Sequence, residues 1–219
     1  MSENKRPIWI IPAAAGVACL LVAVTVLALN DRSQPRAEYQ PGAVRTSGEA
    51  QVGGEYELVR HDGETVTDAD FHGRPQLIYF GFTYCPDVCP MSLQVMKAAL
   101  DHLPEDQAAQ FQPILISVDP ERDTPESLAQ YVTAPAFPEG LVGLTGSPEQ
   151  VRQAADAYRV WYQRAEDDGV SGDYLVDHSS LIYFMDRQGG FVEVFPHSAP
   201  PEQIAARLER FLEEDGARS

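Results

Sequence analysis

Hydrophobic and polar positions follow three regimes along this chain. The first is Ile8 to Leu29, 22 residues without a charge. At 1.5 Å per residue a helix of that length covers the hydrocarbon core of a bilayer. Pro12 falls near its first turn, where proline is tolerated. The second regime, residues 31–52, has no periodicity and contains Pro35, Pro41, Gly42 and Gly48. It reads as a flexible linker. The third, residues 53–214, alternates short apolar runs with stretches of helical period, and 215–219 form a tail.

Within that third segment, Glu55–Val59 and Glu64–Thr67 flank His61-Asp62-Gly63, a hairpin signal. Phe71–Pro75 reads as a turn. Gln76–Phe82 and Phe111–Val118 are continuous apolar runs, the pattern of strands covered on both faces. Leu93, Met96, Leu100 and Leu103 recur at helical spacing and predict a helix over 90–103. Thr124-Pro125 is a cap followed by a first-position proline, opening a helix over 125–133. Leu141–Leu144 is a short strand. Ser147 to Gln150 has capping-box spacing and opens a helix reaching Arg159. Val160–Arg164 and Asp173–Val176 flank an acidic loop, Glu166 to Gly172. Leu181–Asp186 and Phe191–Phe195 flank Gly189-Gly190 as a second hairpin. Ile204, Leu208, Phe211 and Leu212 line one face of a terminal helix. Strands alternating with helices, ending in a hairpin and a helix, imply an α/β fold with a mixed central sheet flanked by helices.

The charge balance narrows the partners. Net charge is −17. Lys5 and Arg6 against Glu3 leave residues 1–30 at +1, so the remainder carries −18. A domain this acidic repels nucleic-acid phosphates and anionic lipid, and neither is expected as a partner. Lys5 and Arg6 before the apolar run favour a cytoplasmic N-terminus with the rest of the chain crossing. The run exceeds the usual ~7–15 apolar residues of a signal peptide. It ends in Val26-Leu27-Ala28-Leu29-Asn30, a poor cleavage site. Residues 1–30 are therefore expected to be an uncleaved single-pass anchor in a bacterial cytoplasmic membrane, with the folded domain in the periplasm.

Cys19 lies inside the apolar run and reads as a small membrane residue. Cys85 and Cys89 bracket Pro86-Asp87-Val88. Two close cysteines do not make a disulfide scaffold. A pair directly after the first long strand, at the mouth of the first long helix, is the thioredoxin placement. The hairpin at residues 55–67 is an addition to that plan. A helix N-terminus favours thiolate over thiol, and thiolate is both nucleophile and metal ligand. The spacing is one residue wider than in thioredoxins, so both sulfurs can face one soft cation or close into a disulfide. Sulfur donors select Cu(I), Zn or iron–sulfur iron, and two sulfurs are too few for a cluster.

A metal would need a third ligand from elsewhere. His61 and His72 lie in turns and His102 on the solvent side of its helix, so all three read as surface residues. His178, in Asp177-His178-Ser179-Ser180, precedes the Leu181 strand, where the thioredoxin plan brings a loop to the cysteines. A lone loop histidine is more often structural than a ligand, and His197 is a second candidate. Met96 belongs to the helix stripe, and Met91 is a weak thioether candidate.

Three longer stretches change the weighing. Gly81-Phe82-Thr83-Tyr84-Cys85-Pro86-Asp87-Val88-Cys89-Pro90, then Ser117-Val118-Asp119-Pro120-Glu121-Arg122-Asp123-Thr124-Pro125, then Asp173-Tyr174-Leu175-Val176-Asp177-His178-Ser179 closely resemble the Sco/SenC proteins. The resemblance runs from about Gly53 to Phe211. It implies a thioredoxin-like domain binding one copper ion through Cys85, Cys89 and His178. It also implies copper delivery to, or redox assistance at, the binuclear copper site of cytochrome c oxidase subunit II. Two thiolates and a neutral imidazole carry net charge −1 with Cu(I) and none with Cu(II), so both oxidation states fit. A periplasmic copper donor or thiol reductant is the other implied partner. Asp177 reads equally as a group orienting the imidazole and as a solvated carboxylate. Asp119–Thr124 reads first as a hydrogen-bonded turn with a helix cap.

Other functions remain open at this point. A thiol–disulfide oxidoreductase acting on the oxidase cysteines would use Cys85 and Cys89 as its redox pair without His178. A redox sensor or peroxidase would need a cation beside the cysteine, for which Arg122 is the candidate.

Overall fold

The computed structural model describes residues 52–165 and 174–217. The expected anchor, nearly all of the linker and the acidic loop lie outside these residues. Among the described residues no helix is long and apolar enough to cross a membrane.

The elements run β1 (Glu57–Arg60), β2 (Thr65–Thr67), a 3-10 turn (Asp68–Phe71), β3 (Gln76–Gly81), α1 (Val88–Asp101), α2 (Glu105–Ala108) and β4 (Gln112–Ser117). They continue with α3 (Pro125–Tyr131), β5 (Val142–Thr145), α4 (Pro148–Ala157), β6 (Tyr162–Arg164), β7 (Val176–His178), β8 (Leu181–Met185), β9 (Phe191–Pro196) and α5 (Pro201–Gly216). Seven strands form one mixed sheet in the order β2-β1-β5-β4-β3-β8-β9. β3, β4 and β5 are parallel neighbours, while β1 and β8 join them antiparallel. Strands β6 and β7 make a separate antiparallel ribbon.

Every residue of β3 and β4 is buried, as continuous apolar runs require when both faces of a sheet are covered. Helix α1 packs on β3 and against α5, while α3 lies on β5 and α4 on β1. The expected N-terminal hairpin is present and adds its β1 to the sheet beside β5. Gly63 takes φ +89 in its turn, a conformation only glycine adopts freely. Thr124 caps α3 by accepting from the Ser127 amide. Ser147 and Gln150 complete the capping box of α4.

Several boundaries differ from the expectation. The helix predicted at 90–103 spans Val88–Asp101, because Leu103 precedes Pro104 and a pre-proline residue disfavours helix. The helix predicted over 125–133 ends at Tyr131. The one predicted to reach Arg159 ends at Ala157, where Arg159 turns left-handed at φ 58. The strand predicted over Val160–Arg164 shortens to β6, and its partner β7 lies later than predicted. His178 is thus the last residue of a strand, paired with Tyr162, rather than a loop residue. The single turn α2 is too short for periodicity to reveal. His61 is half-buried rather than a surface residue: its Nδ1 accepts from the Gly143 amide at 3.1 Å, extending the β1–β5 contact.

Candidate metal centre

Sheet pairing brings three chain segments to one end of the fold. Gly81, at the C-terminal end of β3, pairs with Ser117 at the end of β4, so the segments after both strands emerge together. Tyr79 pairs antiparallel with Ile182, so the start of β8 lies at that same end. Cys85 and Cys89 follow β3, residues 119–124 follow β4, and His178 precedes β8.

Cys85 stands in the turn and Cys89 in the first turn of α1, after Asp87 at the N-cap. The Cys89 amide donates to Cys85 Sγ at 3.3 Å. Pro90 sits where helix geometry needs no donor. Cys89 is fully buried and Cys85 half-buried. A Cβ on Gly81 would lie 3.0 Å from Cys89 Sγ and 2.7 Å from the Tyr79 ring, so the buried sulfur depends on glycine there.

Across from the cysteines, His178 Nε2 lies 3.3 Å from Cys89 Sγ. Its Nδ1 lies 3.2 Å from the Ser179 carbonyl. A carbonyl only accepts, so this contact places the proton on Nδ1 and turns the Nε2 lone pair toward the sulfur. Tyr79 and Phe82 meet the imidazole edge-on, with ring centroids at 5.8 and 5.9 Å. Asp177 is exposed: adjacent strand residues point to opposite faces, and a backbone carbonyl takes the orienting role instead. Ser179 also binds the Trp161 backbone, and the Trp161 side chain is 58% exposed.

The sulfurs of Cys85 and Cys89 and one His178 nitrogen lie within 4.8 Å of one another, the only such group of three potential ligands among the described residues. All three predicted ligands are therefore brought together. His197 is not part of the cluster, Met96 is core and Met91 is exposed.

The two thiols are inequivalent. The Cys89 thiol donating to Cys85 comes first among the effects that lower the Cys85 pKa to about 5. The backbone amides of Asp87 and Cys89 add to it, against partial burial. Cys89 is pushed up, by the Cys85 sulfur beside it and then by burial.

A profile of the SCO1/SenC family matches residues 44–213. The chain belongs to the SCO1/SenC family. It is 42% identical over 214 residues to the Rhodobacter capsulatus protein SenC, covering 97% of this chain and 93% of that one. It is 43% identical over 150 residues to a mitochondrial SCO1 homologue of Arabidopsis thaliana, covering 68% of this chain but only 44% of the plant protein. The chain thus spans less than half of that relative. Among solved structures, copper-bound ScoI of Bradyrhizobium japonicum superposes with TM-score 0.65 at 42% identity, over 73% of this chain and 98% of that one. Copper-bound ScoI of Arabidopsis gives TM-score 0.69 at 38% identity, over 74% and 99%. The thioredoxin-like Sco fold is the architecture of this SCO1/SenC domain.

Sequence reasoning missed the polar cluster behind the site. Asp123 is buried and accepts from the Thr83 amide at 3.1 Å, the Thr83 hydroxyl, and Ser117 Oγ at 2.6 Å. Asp119 accepts from Tyr174 Oη at 2.6 Å and from Arg122. The turn-and-cap reading of this segment holds locally, but it omits these contacts across the fold. The motif containing them was visible. Its reach across 40 residues to Thr83 was not.

Proposed function

We propose that this SCO1/SenC chain binds one copper ion through Cys85, Cys89 and His178. It delivers that copper to, or assists assembly of, the binuclear centre in subunit II of cytochrome c oxidase. The observation that carries the reading is the grouping of two sulfurs and one imidazole nitrogen within 4.8 Å. This donor set suits copper in both oxidation states: thiolate favours Cu(I) and imidazole accommodates Cu(II). Copper bound to the Bradyrhizobium and Arabidopsis relatives supports it. The apolar run Ile8–Leu29 supports single-pass anchoring in the bacterial cytoplasmic membrane, with the domain in the periplasm. A periplasmic donor or reductant then supplies copper or electrons. Anaerobic titration of the reduced full-length protein in detergent is expected to give one Cu(I) per chain. Cys85→Ser and Cys89→Ser are expected to lose it to a competing thiol buffer. Undiminished binding in both cysteine variants would remove the reading.

A second role for the same sulfurs, thiol–disulfide exchange with the oxidase cysteines, is favoured by the inequivalent pair. Half-exposed Cys85 is the attacking thiolate and buried Cys89 closes the disulfide. In the reduced metal-free protein, alkylation of Cys85 is expected to be half-maximal near pH 5, with Cys89 unmodified. The stability consequence has a definite sign. The folded Cys85 pKa is depressed from 9.0, so its contribution is full above about pH 9 and is lost as pH falls through about 5. Equal alkylation of both thiols near pH 9 only would refute the assignment.

A further inference from the structure

The copper reading divides the ligands between two segments 89 residues apart in the chain, and the fold has to fix the gap between them. The inference below rests on that reading. Within the sheet, β3 and β8 are bonded neighbours only as far as Tyr79 and Ile182. Beyond them the Cys85 turn and the β7 end continue without a shared ladder. The turn between β4 and α3, residues 119–124, spans this interval and carries none of the three ligands.

Its contacts divide between the two sides. Asp123 holds Thr83, two residues before Cys85, through both the amide and the hydroxyl. Asp119 accepts from the hydroxyl of Tyr174, four residues before His178. Between these carboxylates the Arg122 guanidinium carbon lies 3.7 Å from the Tyr174 ring centroid and 4.7 Å from that of Tyr84. Tyr84 is the residue next to Cys85. Asp119 also accepts from Arg122, which ties the cation to the turn itself. The base is anchored: Ser117 Oγ donates to Asp123 at 2.6 Å and accepts from the Asp119 amide at 3.0 Å. Asp119 and Asp123 are 3% and 0% exposed, so water does not compete for these bonds.

We infer that Asp119, Arg122 and Asp123 form a brace that sets the spacing between the cysteine pair and His178. They act as positioning residues for copper. Arg122 is the joint, because its guanidinium carbon lies over an aromatic ring from each side while it also bonds Asp119, and an ammonium group cannot make these contacts together. Groups that orient a metal ligand without touching the metal commonly change affinity by about 10- to 100-fold.

Arg122→Lys and Tyr174→Phe in the full-length protein test this. The second keeps the ring and removes the bonds of its hydroxyl, to buried Asp119 at 2.6 Å and to exposed Glu121 at 3.4 Å. Arg207→Lys is the control, because Arg207 pairs with Glu193 and lies over Phe184, away from the site. Both brace variants are expected to bind Cu(II) about 10-fold or more weakly, with an altered thiolate-to-Cu(II) absorption band. Cu(I), held by two thiolates from one segment, should change less than about 3-fold. Melting of the metal-free protein should match the control. In metal-free protein, NMR contacts between His178 and Phe82 ring protons should weaken in the brace variants alone. Wild-type Cu(II) affinity and spectrum in Arg122→Lys would overturn the brace. So would a Cu(II) loss that merely follows a lowered melting temperature. If the wild type takes up no copper, the copper reading falls, and the His178–Phe82 contacts still decide whether the brace exists.

Discussion

His178→Ala is expected to leave a folded protein that still takes up Cu(I) but has lost Cu(II). The variant keeps both sulfurs, which belong to one turn and one helix start and do not depend on the imidazole for their placement. Two thiolates suffice for a soft monovalent cation. Cu(II) needs the nitrogen donor, and thiolates left alone with it tend to reduce it. The Cu(II) loss should exceed the roughly 100-fold seen when only an outer partner of a ligand is removed. Competition titrations with chelators selective for each oxidation state measure the asymmetry. His197→Ala should change neither affinity, because His197 lies outside the ligand cluster. Equal retention of both ions in His178→Ala would show that the third ligand lies elsewhere. Cytochrome c oxidase assembly in the same variant separates the two proposed roles. Exchange chemistry needs only the sulfurs, so assembly lost with disulfide exchange intact would favour copper delivery.

Phe184→Ala is expected to cost the most stability of any single truncation considered. Phe184 is fully buried on β8, the strand beside the site. Its ring lies 5.0 Å from that of Phe211 on α5 and 6.1 Å from that of Phe111 before β4. It therefore joins the terminal helix to the sheet. Removing a buried phenyl in such a setting costs about 3–5 kcal/mol, from lost transfer energy and an unfilled cavity. For a domain of this size that is roughly 6–20 °C in melting temperature. Thermal denaturation of the metal-free protein measures it. A shift under about 3 °C would mean that α5 is not held through this contact.

The sequence made the layers of the fold readable because its central strands are so apolar. Gln76–Phe82 and Phe111–Val118 could hardly be anything but covered strands, and β3 and β4 lie there with every residue buried. The caps at Thr124 and Ser147 were equally legible, since a cap is a contact within four residues. Helix ends were less so. Pro104 and the left-handed Arg159 stop their helices for reasons that a hydrophobic stripe does not contain. The ligands came from a mixture of sources. Cys85 and Cys89 announce themselves by spacing, whereas His178 is only one candidate by its place before the Leu181 strand until the family motif singles it out. What brings His178 to the sulfurs is the antiparallel pairing of β3 with β8, and no local pattern encodes it. The same applies to Asp123, whose bond to Thr83 is set by the neighbouring strands β3 and β4.

Trp161 gives this arrangement an optical consequence. Its amide and carbonyl both bond to Ser179, the residue after His178, so the tryptophan is fixed through its backbone just before β6, next to the end of β7. The chain has one other tryptophan, Trp9, in the apolar run. In a Trp9→Phe background all indole emission comes from beside the ligand cluster. Paramagnetic Cu(II) quenches such emission and closed-shell Cu(I) does so far less. Fluorescence of that variant is therefore expected to report copper valence in solution without an added dye.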